Sequence, residues 1–194
     1  SANIVDGFFI GNYVGDSGLA AINISFPIFS LLFGFALMLA IGSSVVSGKL
    51  IGQGDIKSAS IIFSKTMVCI TLFSFITCTG LFLNIETVLY LFGADENLTK
   101  IAIEYLSVIL IFIPFLMIGV VLDYFVRVDN RPNLAFVALL SSAVINVILD
   151  WFLIVYLQKG IFGAALATGI SQLSLLFILL PHFFSKKATL KFVK

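Results

Sequence analysis

One apolar segment of the chain reads Leu134-Ala-Phe-Val-Ala-Leu-Leu-Ser-Ser-Ala-Val-Ile-Asn-Val-Ile-Leu-Asp150-Trp-Phe-Leu-Ile-Val-Tyr156. About 20 apolar residues in a helix cross the hydrocarbon core of a bilayer, so the segment predicts a membrane-spanning helix. Asp150 is its one charged residue. Because an ionised side chain at the centre of a span costs about 2.5 to 3.5 kcal/mol, a carboxyl group at that depth is a candidate functional residue.

The whole chain has the composition of an integral membrane protein. Hydrophobic residues make up 60% and charged residues 11% of its 194 residues, and its mean hydropathy is +1.17. An average soluble domain has about 25% charged residues. The lipid bilayer is therefore a predicted partner. A nucleic acid is not, because the Lys and Arg residues form no stripe or face that phosphate binding needs.

Apolar runs divide the chain into five complete spans and one partial span. The complete spans are predicted at residues 20–47, 60–85, 101–126, 134–156 and 161–184. Residues 1–13 reach only ~20 Å as a helix, and no initiator Met precedes them, so the start of the first helix is predicted to be missing. Because a lipid-exposed backbone must satisfy its own hydrogen bonds, all spans are expected to be helical. The predicted fold is an all-α integral membrane bundle of six helices, the first of them truncated.

Basic residues are unequally divided between the two ends of the spans. Two of the eleven, Lys100 and Lys159, lie on one side, and nine lie on the other. The nine are Lys49, Lys57, Lys65, Arg127, Arg131, Lys186, Lys187, Lys191 and Lys194. Since cytoplasmic loops retain positive charge, the side with nine is predicted to be cytoplasmic, in a multi-pass protein of the plasma or inner membrane. The N-terminus and the C-terminal end of the segment both fall on that side, where His182 is expected to be solvated.

Polar residues within the spans form a candidate site. Asn146 and Asp150 are four residues apart, so they share a helix face, which Ser142 extends by another turn. Thr168 on the last span and Asp6 on the first supply a hydroxyl and a second carboxyl group. Oxygen ligands of this kind suit a small cation. They suit a proton equally, because burial and a neighbouring like charge raise the pKa of a carboxyl group.

Several motifs, in this order and spacing, resemble the multidrug and toxic compound extrusion (MATE) transporters over nearly the whole chain. They are Asn3-Ile-Val-Asp6-Gly7, Ile41-Gly-Ser-Ser44, Leu50-Ile-Gly-Gln-Gly-Asp55, Leu91-Phe-Gly-Ala-Asp95, Glu104-Tyr-Leu106, Asn146-Val-Ile-Leu-Asp150 and Gly163-Ala-Ala-Leu-Ala-Thr168-Gly-Ile-Ser-Gln172.

The resemblance implies a two-lobe, twelve-helix carrier, of which residues 1–194 would be the amino-terminal lobe, with the carboxy-terminal lobe absent. Such carriers export cationic or amphipathic drug-like compounds in exchange for sodium ions or protons by alternating access. The family's cation site, including any sodium ion, would fall on Asp6, Asn146, Asp150 and Thr168. No other cofactor is implied. The predicted partners are small drug-like molecules and the carboxy-terminal lobe, and no substrate-binding residue is assigned.

Three other functions can be compared with drug export. A lipid-linked oligosaccharide flippase shares the fold, but the spans carry no Lys or Arg well inside them for its phosphates. An intramembrane aspartyl protease is disfavoured, because its second acid follows Gly-x-Gly whereas Asp150 follows Val147-Ile-Leu149; the chain is predicted not to be an enzyme. A non-transporting membrane subunit stays open. The sequence also leaves open the coupling ion, the substrate, the oligomeric state and whether the chain is a fragment.

Overall fold

The computed structural model describes residues 2–193, and the side chains of residues 7–193. Within that part of the chain the secondary structure is helical and no strand occurs. The helices are α1 (Ala2–Tyr13), α2 (Asp16–Gly52), α3 (Ile56–Leu83), α4 (Ile85–Leu91), α5 (Glu96–Val128), α6 (Pro132–Asp150) and α7 (Gly160–Leu179). A π-helix, Trp151–Tyr156, continues α6, and a 3₁₀-helix, Leu180–Phe184, continues α7.

Five of these elements are long and apolar enough to cross a membrane: α2, α3, α5, α6 with its π-helix, and α7 with its 3₁₀-helix. Each begins before the predicted span, because polar residues ahead of the apolar run still continue the helix. The 12-residue α1 packs against α2, α6 and α7 as the sixth member of the bundle. The predicted all-α membrane fold is confirmed.

Two helix starts use the same local chemistry. Gly54 (φ 83°) and Gly93 (φ 91°) adopt left-handed backbone conformations that glycine enters without a steric penalty. Shortly after each glycine an aspartate caps the next helix. Asp55 accepts a hydrogen bond from the main-chain N–H of Ser58 (3.0 Å), and Asp95 accepts one from the residue three positions later (2.7 Å). These caps satisfy N–H groups that would otherwise have no partner in the first turns of α3 and α5.

Helix α5 lies at the centre of the bundle and packs against α2, α3 and α7. Helix α2 meets its neighbours through a buried face of mainly small residues at helical spacing, which lets backbones approach closely. That face includes Ala21, Ser25, Ala36, Ala40, Ser44 and Ser47. Helix α7 approaches α5 in a similar way. A Cβ atom added at Gly169 would collide with the ring of Phe112, so only glycine fits there without a shift.

The segment of residues 185–193, which we call the strap, folds back onto the ends of α3 and α5. His182 precedes it and is only 8% exposed. The Nε2 atom of His182 lies 2.6 Å from Oδ2 of Asp129, the residue that ends α5. The expectation that His182 is solvated is therefore wrong. Apolar periodicity places His182 at a helix end, but it does not report the tertiary contacts of the coil that follows.

Candidate cation site

Helix α6 buries the face that carries the candidate residues. Its buried positions are Ala135, Ala138, Ser142, Asn146 and Asp150, three or four residues apart. Asn146 is 2% exposed and Asp150 is fully buried. The spacing therefore does put the amide and the carboxyl group on one face, directed into the bundle and away from lipid.

Asn146 is buried, and its side chain forms no link to another helix among the described residues. Neither the oxygen nor the nitrogen of its side-chain amide makes a hydrogen bond to any group that the structure describes. Most buried polar side chains have such a partner, and an exception calls for an explanation such as a bound ion or water. The Asn146 amide is thus available to a ligand beside Asp150.

Ser142 has a different role, because it joins two helices. Its hydroxyl group donates a 2.7 Å hydrogen bond to the main-chain carbonyl of Ser171 on α7. The bond lies one turn from Asn146 on α6 and about one turn from Thr168 on α7. It fixes the relative position of the two helices that carry these residues.

A small apolar cluster relates the three helices of the predicted site. Ile10 of α1, Ile154 of the π-helix and Ala164 of α7 are buried against one another. Each predicted site residue lies four positions, about one turn, from a residue of this cluster. Position 6 precedes Ile10 and Asp150 precedes Ile154. Thr168 follows Ala164. Since α7 runs in the opposite direction to α1 and α6, all three positions lie on the same side of the cluster, toward the predicted cytoplasmic end.

Asp6 can be located only by its backbone. It belongs to α1, but its side chain lies outside the described residues, so its predicted part in the site stays a prediction.

Thr168 lines a cavity of about 270 Å³ between α1, α2, α5 and α7. Asn146 and Asp150 are not among the residues of its wall. The predicted residues therefore divide into a buried pair on α6 and a hydroxyl-bearing residue in the cavity wall. The wall is largely apolar and aromatic, with few polar groups. Among the described residues of the wall, the polar side chains apart from Thr168 are Asn23, Ser25 and Tyr105.

Sequence reasoning did not assign Asn23 or Tyr105 to the site. Tyr105 belongs to the Glu104-Tyr-Leu106 motif, which resembles the family but carries no site residue in the sequence prediction. Asn23 is an amide in a strongly apolar run, and that signal would have been sufficient to select it.

Asp123 does not belong to the candidate site, because its carboxylate is paired with Arg127. Its carboxylate accepts two hydrogen bonds from the Arg127 guanidinium, at 3.0 and 3.1 Å, one turn along α5. This bidentate ion pair satisfies the acid locally. Among the described residues, no three of His, Cys, Asp and Glu come together as a metal cluster.

A family model described as MatE matches residues 1–152, which is most of the chain. The chain belongs to the MatE family. The predicted resemblance is thereby confirmed, and this MatE chain is a multi-pass membrane protein whose relatives are transporters and not enzymes.

The similarity to known proteins extends over almost the whole length of this MatE chain. It is 31% identical over 195 residues to the multidrug export protein MepA of Staphylococcus haemolyticus, an alignment that covers 97% of the chain and 42% of MepA. It superposes on an inward-facing multidrug resistance MATE family transporter with a TM-score of 0.91 and 25% identity, over 99% of the chain and 44% of that transporter. An outward-facing MATE transporter gives a TM-score of 0.92 and 24% identity, over 99% of the chain and 43% of that structure. The chain spans less than half the length of the relatives it matches.

Proposed function

We propose that this MatE chain is the amino-terminal lobe of an exporter of drug-like, amphipathic and often cationic compounds, driven by counterflow of sodium ions or protons. The observation that carries the proposal is the fully buried Asp150 carboxyl group beside the Asn146 amide, one turn from the cluster where α1, α6 and α7 meet. Similarity to a protein named for multidrug export supports the export direction.

The coupling ion binds at Asp150, Asn146 and Asp6, close to Thr168. An ionised carboxylate at this depth is costly, so a cation or a proton that neutralises Asp150 lowers the free energy of the occupied state. Occupancy then changes the packing of α1 against α6 and α7. A ligand shifts a conformational equilibrium only by its differential affinity for the two states, and neutralisation of a buried charge supplies such a difference.

The lobe keeps its overall fold during alternating access, apart from the repacking of α1 against α6 and α7. Its fold agrees equally well with an inward-facing and an outward-facing MATE transporter, with TM-scores of 0.91 and 0.92. A lobe that changed its internal fold between the two states would fit one of them better. Access therefore alternates by movement of this lobe against the carboxy-terminal lobe.

The substrate binds in the cavity that Thr168 lines. The aromatic rings of Phe26, Phe29 and Tyr105 form much of its wall, and aromatic faces attract organic cations by cation–π interaction. No Lys or Arg belongs to the described wall. A cavity of this kind favours an amphipathic cation over the phosphate group that a lipid-linked oligosaccharide would bring.

The test is transport by the full-length protein in proteoliposomes, with a sodium gradient and a pH gradient imposed separately on wild type and Asp150→Asn. Export driven by one gradient and lost in Asp150→Asn is the expected result, and it names the ion. Asp16→Asn, at the exposed start of α2, is the matched control and should transport as wild type does. Export by Asp150→Asn that still follows the gradient would disprove the proposal.

A further inference from the structure

The strap is held by a buried carboxylate at the end of α5. Asp129 is 4% exposed, and its two oxygens accept hydrogen bonds from the main-chain N–H groups of Thr189 (3.0 and 3.2 Å) and Leu190 (3.1 Å). The same carboxylate bonds His182. Backbone amide groups held in this way fix the path of the chain, because a hydrogen bond to a charged group is about twice as strong as a neutral one.

Two serines of α3 hold the second half of the strap. The hydroxyl of Ser60 accepts from the main-chain N–H of Lys191 (3.3 Å), and that of Ser64 accepts from Val193 (2.8 Å). Ala188 and Leu190, which belong to the strap, are themselves buried. Since these anchors use backbone groups and apolar side chains, the long basic side chains of the strap remain on the outside.

Three lysines project from this fixed backbone: Lys186, Lys187 and Lys191 are all exposed. Residues 185–193 contain no acidic side chain. Asp129, the acid that bonds the strap backbone, is buried and enclosed by these hydrogen bonds. The strap therefore presents a local excess of positive charge at the side of the bundle that the distribution of Lys and Arg assigns to the cytoplasm.

Aromatic rings flank these lysines at the level where the last span ends. Phe184 is the last residue of that span and is 72% exposed, and Phe192 is 41% exposed. Their ring centroids lie 5.4 Å apart in a stacked arrangement. Together with Phe183, Ser185, Lys186 and Lys191 they line a cavity of about 320 Å³. Exposed aromatic rings at a span end are typical of the membrane interface.

We propose that the strap forms a binding site for the headgroup of an anionic phospholipid of the cytoplasmic leaflet. Lys186 and Lys191, on opposite ends of the strap, contact the phosphate group. Phe184 and Phe192 contact the glycerol and the first acyl carbons. The site takes its shape from Asp129, Ser60 and Ser64 and is independent of the proposed transport activity.

The proposal rests on two matches between the strap and a lipid. The lysines are opposite in charge to an anionic headgroup, and the aromatic rings lie at the depth of the membrane interface. Each Lys near an anionic membrane surface strengthens binding appreciably, and two lysines on one fixed segment act on the same headgroup. A flexible tail would attract the same lipids without a defined stoichiometry. A strap anchored by hydrogen bonds to α3 and α5 instead predicts a discrete, saturable site.

The experiment is native mass spectrometry of the purified full-length protein from vesicles with equal amounts of phosphatidylglycerol and phosphatidylcholine. The test variant is Lys186→Gln/Lys191→Gln. The control variant, Lys49→Gln/Lys57→Gln, removes the same charge from exposed positions on the same side of the bundle. We expect wild type and the control to retain one phosphatidylglycerol in preference to phosphatidylcholine, and the strap variant to lose that preference by about tenfold.

Three results would overturn the proposal. They are equal retention of the two lipids by wild type, an equal loss in the control variant, and no loss in the strap variant, which would mean that the lipid binds elsewhere on the protein. Addition of inorganic phosphate distinguishes a lipid from a free anion. Phosphate at millimolar concentration should leave the bound phosphatidylglycerol in place, and its displacement would contradict a lipid site.

Discussion

The hydroxyl group of Ser142 lies 2.7 Å from the main-chain carbonyl oxygen of Ser171 and ties α6 to α7 inside the bundle. The bond lies about one turn from both Asn146 and Thr168. Two of the three helices that carry candidate cation ligands are thus joined at their polar faces by a direct contact.

Ser142→Ala should reduce the stability of the lobe by about 0.6 kcal/mol, the average contribution of a hydrogen bond between membrane helices. The measurement is thermal unfolding of the purified full-length protein in detergent. Ser107→Ala is the control, because the Ser107 hydroxyl bonds only within its own helix, to the carbonyl of Glu104. Equal effects of the two substitutions would show that the hydrogen bond between α6 and α7 adds nothing to the stability of the lobe.

Asn146→Ala should separate ligand binding from stability. The Asn146 amide makes no hydrogen bond to the groups that the structure describes, so its loss breaks no link between helices and should change the unfolding free energy by less than about 1 kcal/mol. Loss of a cation ligand should raise the ion concentration for half-maximal transport by on the order of tenfold. A destabilised protein with unchanged ion dependence would instead identify Asn146 as a structural residue.

Gly169→Ala should destabilise the contact between α5 and α7 by about 1 to 3 kcal/mol, the usual cost of overpacking. The added Cβ atom would meet the Phe112 ring. Gly34→Ala is the control within a helix, because its Cβ atom would have open space around it and alanine is the better helix former. The check is the unfolding temperature of both variants, and a lower value for Gly34→Ala than for Gly169→Ala would contradict the packing described here.

Asp129→Asn should loosen the strap. The substitution replaces one carboxylate oxygen with an amide nitrogen, which cannot accept a hydrogen bond, so the main-chain N–H groups of Thr189 and Leu190 are left with a single, uncharged acceptor oxygen. Limited digestion with trypsin should then cut faster after Lys186, Lys187 and Lys191, as mapped by mass spectrometry of the fragments.

The matched control for the strap is Asp123→Asn. It makes the same substitution on the same helix and breaks the ion pair with Arg127, but it does not touch the strap. Faster cleavage in both variants would indicate general destabilisation of α5 and would remove the specific role of Asp129.

The Asp55 carboxyl group, at the start of α3, should make the stability of the protein depend on pH. Its hydrogen bonds with Ser58 lower the pKa of its carboxyl group below the ordinary value of 3.8. A lowered folded-state pKa stabilises the protein above the unfolded-state pKa, and this contribution is lost as the pH falls through the folded-state pKa. Asp55→Asn keeps a capping side chain but removes the titration. Wild type should therefore lose its stability advantage over Asp55→Asn below about pH 4, and a constant difference from pH 3 to 7 would refute the assignment.

Much of the fold could be predicted because the bilayer restricts the choices. Long apolar runs located the five spans, and the four-residue spacing of Asn146 and Asp150 gave their common buried face. The π-helix could not be predicted, since Trp151-Phe-Leu-Ile-Val-Tyr156 has an apolar composition that an α-helix would accept equally well. The strap was missed for a related reason. Its structure depends on backbone hydrogen bonds to Asp129, Ser60 and Ser64, which are distant in sequence and leave no periodic signal.

The π-helix after Asp150 also provides a spectroscopic probe. Residues five apart point about 140° away from each other in an α-helix, yet the rings of Trp151 and Tyr156 stack with centroids 6.4 Å apart. Trp151 is the single tryptophan of the chain and adjoins the buried carboxyl group. Its emission should therefore respond when the ring pair separates, so that intrinsic fluorescence can report a rearrangement of the π-helix in this lobe without a chemical label.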